Sequence, residues 1–192
     1  MKPTVLCVFC ALALSTFSCK DNSVDAELPS KLDGIVPLAT GNVWARYTDS
    51  WDSAGHPAVQ LIDTLSILGD TVIKNERWFL FNHYTHATNR SSGFYLLSGA
   101  TPVQYLKYPV SLGDGYLYGS DTVRVAHLDT VITVTAGTFS CLRYEFTYNG
   151  FVDIILYAAP HKGIIRFETF GRTAGGTTYL RQQTDLASVH LN

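Results

Sequence analysis

Cysteine is scarce: four occur, and three of them, Cys7, Cys10 and Cys19, fall near the N-terminus. Cys141 stands alone in the body of the chain, which therefore cannot hold an internal disulfide and must rely on a packed core. Basic residues are few and unclustered: 14 Lys and Arg against 16 Asp and Glu leave a net charge of −2. That balance removes the electrostatic basis for binding nucleic acid, or for gripping an anionic lipid surface by charge alone. No apolar run approaches the ~20 residues of a membrane-spanning helix. From Ile35 onward no window of about eleven residues shows a helical period. The G-x-S-x-G elbow, H-E-x-x-H, the P-loop, the dinucleotide fingerprint and the EF-hand loop are all missing. No catalytic residue, cofactor or metal is expected.

The N-terminus has a distinct layout. Lys2 supplies one positive charge, Val5 to Leu14 are apolar, and Ser15, Thr16 and Ser18 are small residues preceding Cys19. This reads as a secretory signal peptide over 1–18. A cysteine directly after the small residues resembles a bacterial lipobox, which implies cleavage before Cys19 and its acylation. Two acyl chains, at roughly 0.8 kcal/mol per buried methylene, make a stable membrane anchor. Residues 19–34 are the lipidated cysteine and a polar, acidic stretch with one proline, read as a flexible tether. Lys20 and Asp21 resemble the charged tag of Bacteroidota lipoproteins. The resemblance implies an outer-membrane protein facing the periplasm or the cell surface.

Residues 35–192 read as a single β-rich domain. Ala58–Leu68 places Val59, Leu61, Leu65 and Ile67 on one face, interrupted by Asp63. Arg77–Tyr84, Gly93–Ser98, Pro102–Tyr108, Thr122–Leu128 and Val131–Val134 have strand composition. Turn signals recur between them, including Asn149-Gly150, whose two residues suit the positive φ angles of a type I′ hairpin. That turn predicts pairing of Tyr148 with Phe151, Tyr144 with Ile155 and Leu142 with Tyr157. Asp153 then falls opposite Phe146, an exception on an apolar face. "PLATGNVW", Pro37 to Trp44, recurs loosely as "PVSLGDGY", Pro109 to Tyr116, which hints at two related halves.

"TVTAGTFSCLRYEF", Thr133 to Phe146, changes its apolar side halfway along. A two-residue turn at Ala136-Gly137 would set Val134 against Phe139 and Ile132 against Cys141. Beyond Leu142 the apolar side is the opposite one, and strict alternation cannot do that. Either a β-bulge near Cys141-Leu142 shifts the register, or the strand passes between two buried environments. Both belong to a long, coiled strand. The fold expected is all-β and mainly antiparallel: a strongly curved sheet, half-barrel or barrel, with little helix. "VTAGTFSCLRYEF" with "YAAPHKGIIRFE", Tyr157 to Glu168, resembles a pattern in uncharacterised secreted and lipid-anchored bacterial proteins, V-P-A-G-T-F, then a strand, then A-P-G-x-G. Thr135 stands where proline is usual, and His161-Lys162 replace Gly-x before Gly163. Related families with the A-G-T-F turn are similar to the LolA/LolB-like half-barrel. The resemblance implies a sheet curved around an apolar hollow and carries no activity.

Chemistry-bearing residues are dispersed. His83 and His86 sit three apart, and on a strand they would point to opposite faces and could not share a metal. Cys141 lies in an apolar patch and reads as a small core residue. Asp63, Glu145, Asp153 and Glu168 could be paired on paper, but nothing selects a pair. The aromatic strand residues Trp44, Trp78, Tyr95, Tyr105, Tyr144 and Tyr157 are the candidate pocket lining. Gly137, Asn149, Gly150 and Gly163 are the structural turns. The expected role is a non-catalytic envelope lipoprotein domain that binds an apolar small molecule or an envelope protein. The alternative is a structural or accessory subunit of an outer-membrane assembly. A hydrolase with an unrecognised site has the least support.

Overall fold

The structure, a computed structural model, describes residues 34–192. The signal peptide over 1–18, Cys19 and all but the last residue of the tether lie outside the described residues. Twelve strands follow in order: β1 Val43–Trp51, β2 Pro57–Ile73, β3 Glu76–Phe81, β4 His86–Arg90, β5 Gly93–Ser98, β6 Thr101–Lys107, β7 Gly115–Tyr118, β8 Asp121–Val134, β9 Gly137–Tyr148, β10 Phe151–Ala159, β11 Gly163–Arg172 and β12 Thr178–His190. No helix occurs among the described residues. All strands join one sheet, in the order β6-β5-β4-β3-β2-β1-β12-β11-β10-β9-β8-β7. Every neighbouring pair is antiparallel, and β1 with β12 joins two consecutive meanders.

The ends of this sheet meet. Tyr116 on β7 donates its hydroxyl to the Tyr105 carbonyl on β6 at 2.7 Å. Tyr144 on β9 donates to the Lys107 carbonyl at 2.8 Å. The sheet is therefore a nearly closed barrel, the curved antiparallel architecture expected from the long strands. Its core includes Trp44, Ile67, Phe79, Phe81, Phe94, Leu106, Val123, Val125, Tyr144, Phe146, Leu156, Ile165 and Leu186. The segment before β1 adds Ile35, Val36 and Leu38 to that core. It is fixed by hydrogen bonds from His161 and Gly163 to the carbonyls of Gly34 and Ile35, and from Asn89 Nδ2 to the Val36 carbonyl.

The repeated motif builds the same corner twice. Gly41 N–H donates to the Ile67 carbonyl and Ile67 N–H to the Asn42 carbonyl; Gly113 N–H donates to the Val125 carbonyl and Val125 N–H to the Asp114 carbonyl. Asn42 N–H closes a turn on Ala39, and Asp114 N–H closes one on Ser111. Both glycines need positive φ, 87° and 85°. One corner opens β1 and docks on β2; the other opens β7 and docks on β8. Each therefore starts one of the two meanders.

Bulges correct three register expectations. Tyr148 does pair with Phe151 across Asn149-Gly150, whose φ angles are 47° and 75°. Asp153 is then a bulged residue, so Phe146 pairs with Ile154, Tyr144 with Leu156 and Leu142 with Ala158. Asp153 thus steps out of the ladder instead of interrupting the apolar face. At the other hairpin the turn is Thr135-Ala136, one residue earlier than expected, with Val134 opposite Gly137 and Ile132 opposite Phe139.

The strand that changes sides has a physical explanation. Leu142, Tyr144 and Phe146 face the core with Val123 and Val125. At Leu142 pairing with β10 ends, and the opposing bulge lies on β8 between His127 and Thr130. The hairpin tip then doubles onto β11 and β12, where Ala136 N–H donates to the Leu186 carbonyl at 3.2 Å. That fold buries the other side of the ladder: Ile132 and Cys141 are covered, while Val131 is exposed.

Candidate functional site

The barrel encloses a hollow in two adjoining chambers. The first, about 350 Å³, is lined mainly by Trp44, Leu65, Phe81, Phe94, Leu96 and Tyr118. The second, about 430 Å³, is bordered by Thr48, Leu61, Asp63, Phe167, Gln182 and Thr184. Arg46, Tyr105 and Ile164 belong to both. Each volume lies in the range of small-molecule sites, about 300–1,000 Å³.

Strand alternation puts these groups inside. On β1, Trp44, Arg46 and Thr48 share a face, opposite Leu65, Asp63 and Leu61 on β2. Trp44 is held from behind, because its indole N–H donates to the Lys162 carbonyl at 2.8 Å. Its ring lies 6.2 Å from Phe81. Tyr105 is the aromatic hub: its ring centroid is 5.0 Å from Tyr118, 5.8 Å from Phe146 and 6.4 Å from Phe94. Burial, with Tyr118 adding to it, pushes the Tyr105 phenol far above its ordinary value, so it stays neutral.

One polar cluster marks the junction of the chambers. Arg46 Nη2 is ion-paired and hydrogen-bonded to Asp63. His83 Nε2, from the β3–β4 turn, lies 3.6 Å from the other Asp63 oxygen. Desolvation would raise the Asp63 carboxyl, but the hydrogen bond and charge of Arg46 outweigh it and hold the group below its ordinary value. This cluster offers donors and acceptors to the polar end of a ligand whose body is apolar.

The six candidate aromatics separate. Trp44 and Tyr105 line the hollow. Tyr144 is fully buried beside it and spends its hydroxyl on barrel closure. Trp78 lies under Arg90, which stacks over it at 5.9 Å and over Tyr95 at 4.5 Å while making a bidentate ion pair with Glu76. Tyr157 stands opposite Arg143 and Arg166 on its neighbouring strands, away from both chambers. Gly163 takes a φ of 93° with the Trp44 indole packed beside it, and Gly137 takes 132°.

Arg46, His83, Leu65, Phe81, Phe94, Leu96, Tyr118 and Ile164 were not among the sequence candidates. Arg46 could have been found, since it is two residues from Trp44 and faces the Asp63 that interrupts an apolar face. Of the remaining carboxylates, Glu145 and Glu168 flank Ile155 from its two neighbouring strands, Glu145 paired with Arg143 and Glu168 facing Arg166 and Arg143, while Asp153 sits at its bulge with one oxygen buried and unpartnered. The Cys141 thiol is fully buried and pushed up to about 11 by burial, against a smaller opposing effect of Arg166. Among the described residues no three His, Cys, Asp or Glu side chains are placed to hold a metal.

No family model matches the sequence, and no curated protein matches it. Among solved structures the chain is similar to a candidate lipoprotein from Parabacteroides distasonis ATCC 8503. That likeness is loose: 13% identity, a TM-score of 0.49, and coverage of 83% of this chain and 99% of the other.

Proposed function

We propose that the domain is a non-catalytic binding module of the cell envelope that takes one apolar small molecule into the barrel. The observation that carries this reading is the chamber walled by Trp44, Leu65, Phe81, Phe94, Leu96 and Tyr118. Apolar side chains around an open hollow leave a gap in dispersion contacts that an apolar guest would fill. Arg46, Asp63 and His83 orient the guest by its polar end. Acylation of Cys19 holds the module at the outer membrane. That part of the reading is supported by the lipobox-like sequence alone, and a Cys19→Ser variant would leave the membrane fraction.

The binding reading is tested by titrating the protein with phenylnaphthylamine, an apolar fluorescent probe. The expected result is saturable one-site binding, weakened at least tenfold by Leu96→Trp, which fills the chamber, in a variant that keeps its strand spectrum. Absence of saturable binding, or equal binding by the filled variant, would overturn it.

A further inference from the structure

β2 is the longest strand, and half of one edge has no neighbour. Its pairing with β3 begins only at Ile67. Just before that point Asn82 ends the ladder with its side chain: Nδ2 donates to the Thr64 carbonyl at 2.7 Å and Oδ1 accepts from Ser66 N–H at 3.2 Å. These bonds show that the even-numbered residues of β2 point their backbone groups away from β1. By the same alternation, the N–H and C=O groups of Ile62 and Gln60 point to an edge with no strand beside it among the described residues. The side chains there are apolar and open to solvent: Val59 is 51% exposed, Leu61 57% and Ile62 72%. Pro57 to Ile62 carry no charge, and the nearest, Asp63, is held by Arg46. A long, uncharged, apolar edge is the type of surface that pairs with another strand.

We infer that this edge joins two copies of the chain, β2 against β2, into a closed dimer. Its chemistry is complementary to itself. In an antiparallel pairing centred on Gln60, that residue exchanges two backbone hydrogen bonds with its own copy. Val59 lies opposite Leu61 on the face away from the Gln60 side chain, and the ladder ends at Ala58, the residue left unpaired by the bulge between β1 and β2. No charge opposes a like charge. The two-fold uses the same edge of both subunits, so the assembly stops at two. The interface adjoins the second chamber through Leu61, so it is tested by the state of assembly and not by what the hollow binds.

The test is sedimentation velocity on the full chain in mild detergent, over a wide concentration range, with three variants. The native protein is expected to show a concentration-dependent dimer. Gln60→Pro removes an edge donor together with the exposed side-chain bond to Asp49 on β1, and Ile62→Lys places a charge on the edge; both are expected to be monomers, Ile62→Lys with an unchanged thermal midpoint. Gln60→Cys is expected to form a disulfide-linked dimer on a non-reducing gel, since directly opposed hydrogen-bonded residues lie about 5.5 Å apart. A native monomer at every concentration, assemblies larger than a dimer, a dimer that survives both edge variants, or an Ala58→Cys variant that cross-links as well as Gln60→Cys would overturn the inference.

Discussion

At the scale of single residues, burial decides which side chains matter. Asn42 is fully buried; it donates to the Pro37 carbonyl at 2.9 Å and accepts from Asn192 N–H at 2.8 Å. Asn42→Ala strands the buried Pro37 carbonyl, at a cost of about 1–3 kcal/mol, while the exposed Asn192 N–H turns to water. Urea unfolding should therefore show a loss of about 1–3 kcal/mol. Glu168 has the opposite character: burial raises its carboxyl above the ordinary 4.5, and Arg166 and Arg143 oppose this only in part. The folded state then holds that proton more tightly than the unfolded chain, so stability falls as pH rises from 4.5 through the folded value and stays lower above it. Glu168→Gln should raise the thermal midpoint at neutral pH and leave it unchanged in acid below 4.5. A lower midpoint at neutral pH would show that its arginine neighbours outweigh burial. Composition did not reveal this, because the desolvation comes from strands adjacent in space.

At the scale of elements, alternation was legible and bulges were not. The Asn149-Gly150 hairpin could be read because both residues tolerate positive φ. The slip at Asp153 could not, because a bulge depends on which backbone groups find partners across the ladder. The changed side of β9 did carry information: it left a bulge or two buried environments as the alternatives, and the structure places a second buried environment under the doubled-over hairpin tip. Barrel closure rests on short side-chain bridges, for which the sequence offered no pattern. Tyr144→Phe should remove the bond to the half-buried Lys107 carbonyl and cost about 1 kcal/mol, the net worth of a typical hydrogen bond. Amide hydrogen exchange should quicken along β6 more than along β10. Uniform exchange across the sheet would contradict a local closing role.

At the scale of the molecule, two meanders, each begun by the same turn, curve into one wall. Pro37–Trp44 and Pro109–Tyr116 showed this duplication at the level of residues, and their matched hydrogen bonds show what the repeat is for: each fixes a meander's first strand against its second. Curvature was also legible, through strand length and the side-changing strand, whereas the hollow was expected only from the resemblance to half-barrel families. The membership of the hollow was only partly so. Period two assigns a residue to a face, and it cannot say whether that face meets a packed core, an open chamber or a covering side chain such as Arg90 over Trp78. The central claim, a barrel that carries an apolar guest, is tested most directly by native mass spectrometry of the protein isolated gently from its own envelope. The account predicts one retained organic molecule per chain, absent from the Leu96→Trp variant. An unliganded mass for the native protein, or the same adduct on both proteins, would contradict it.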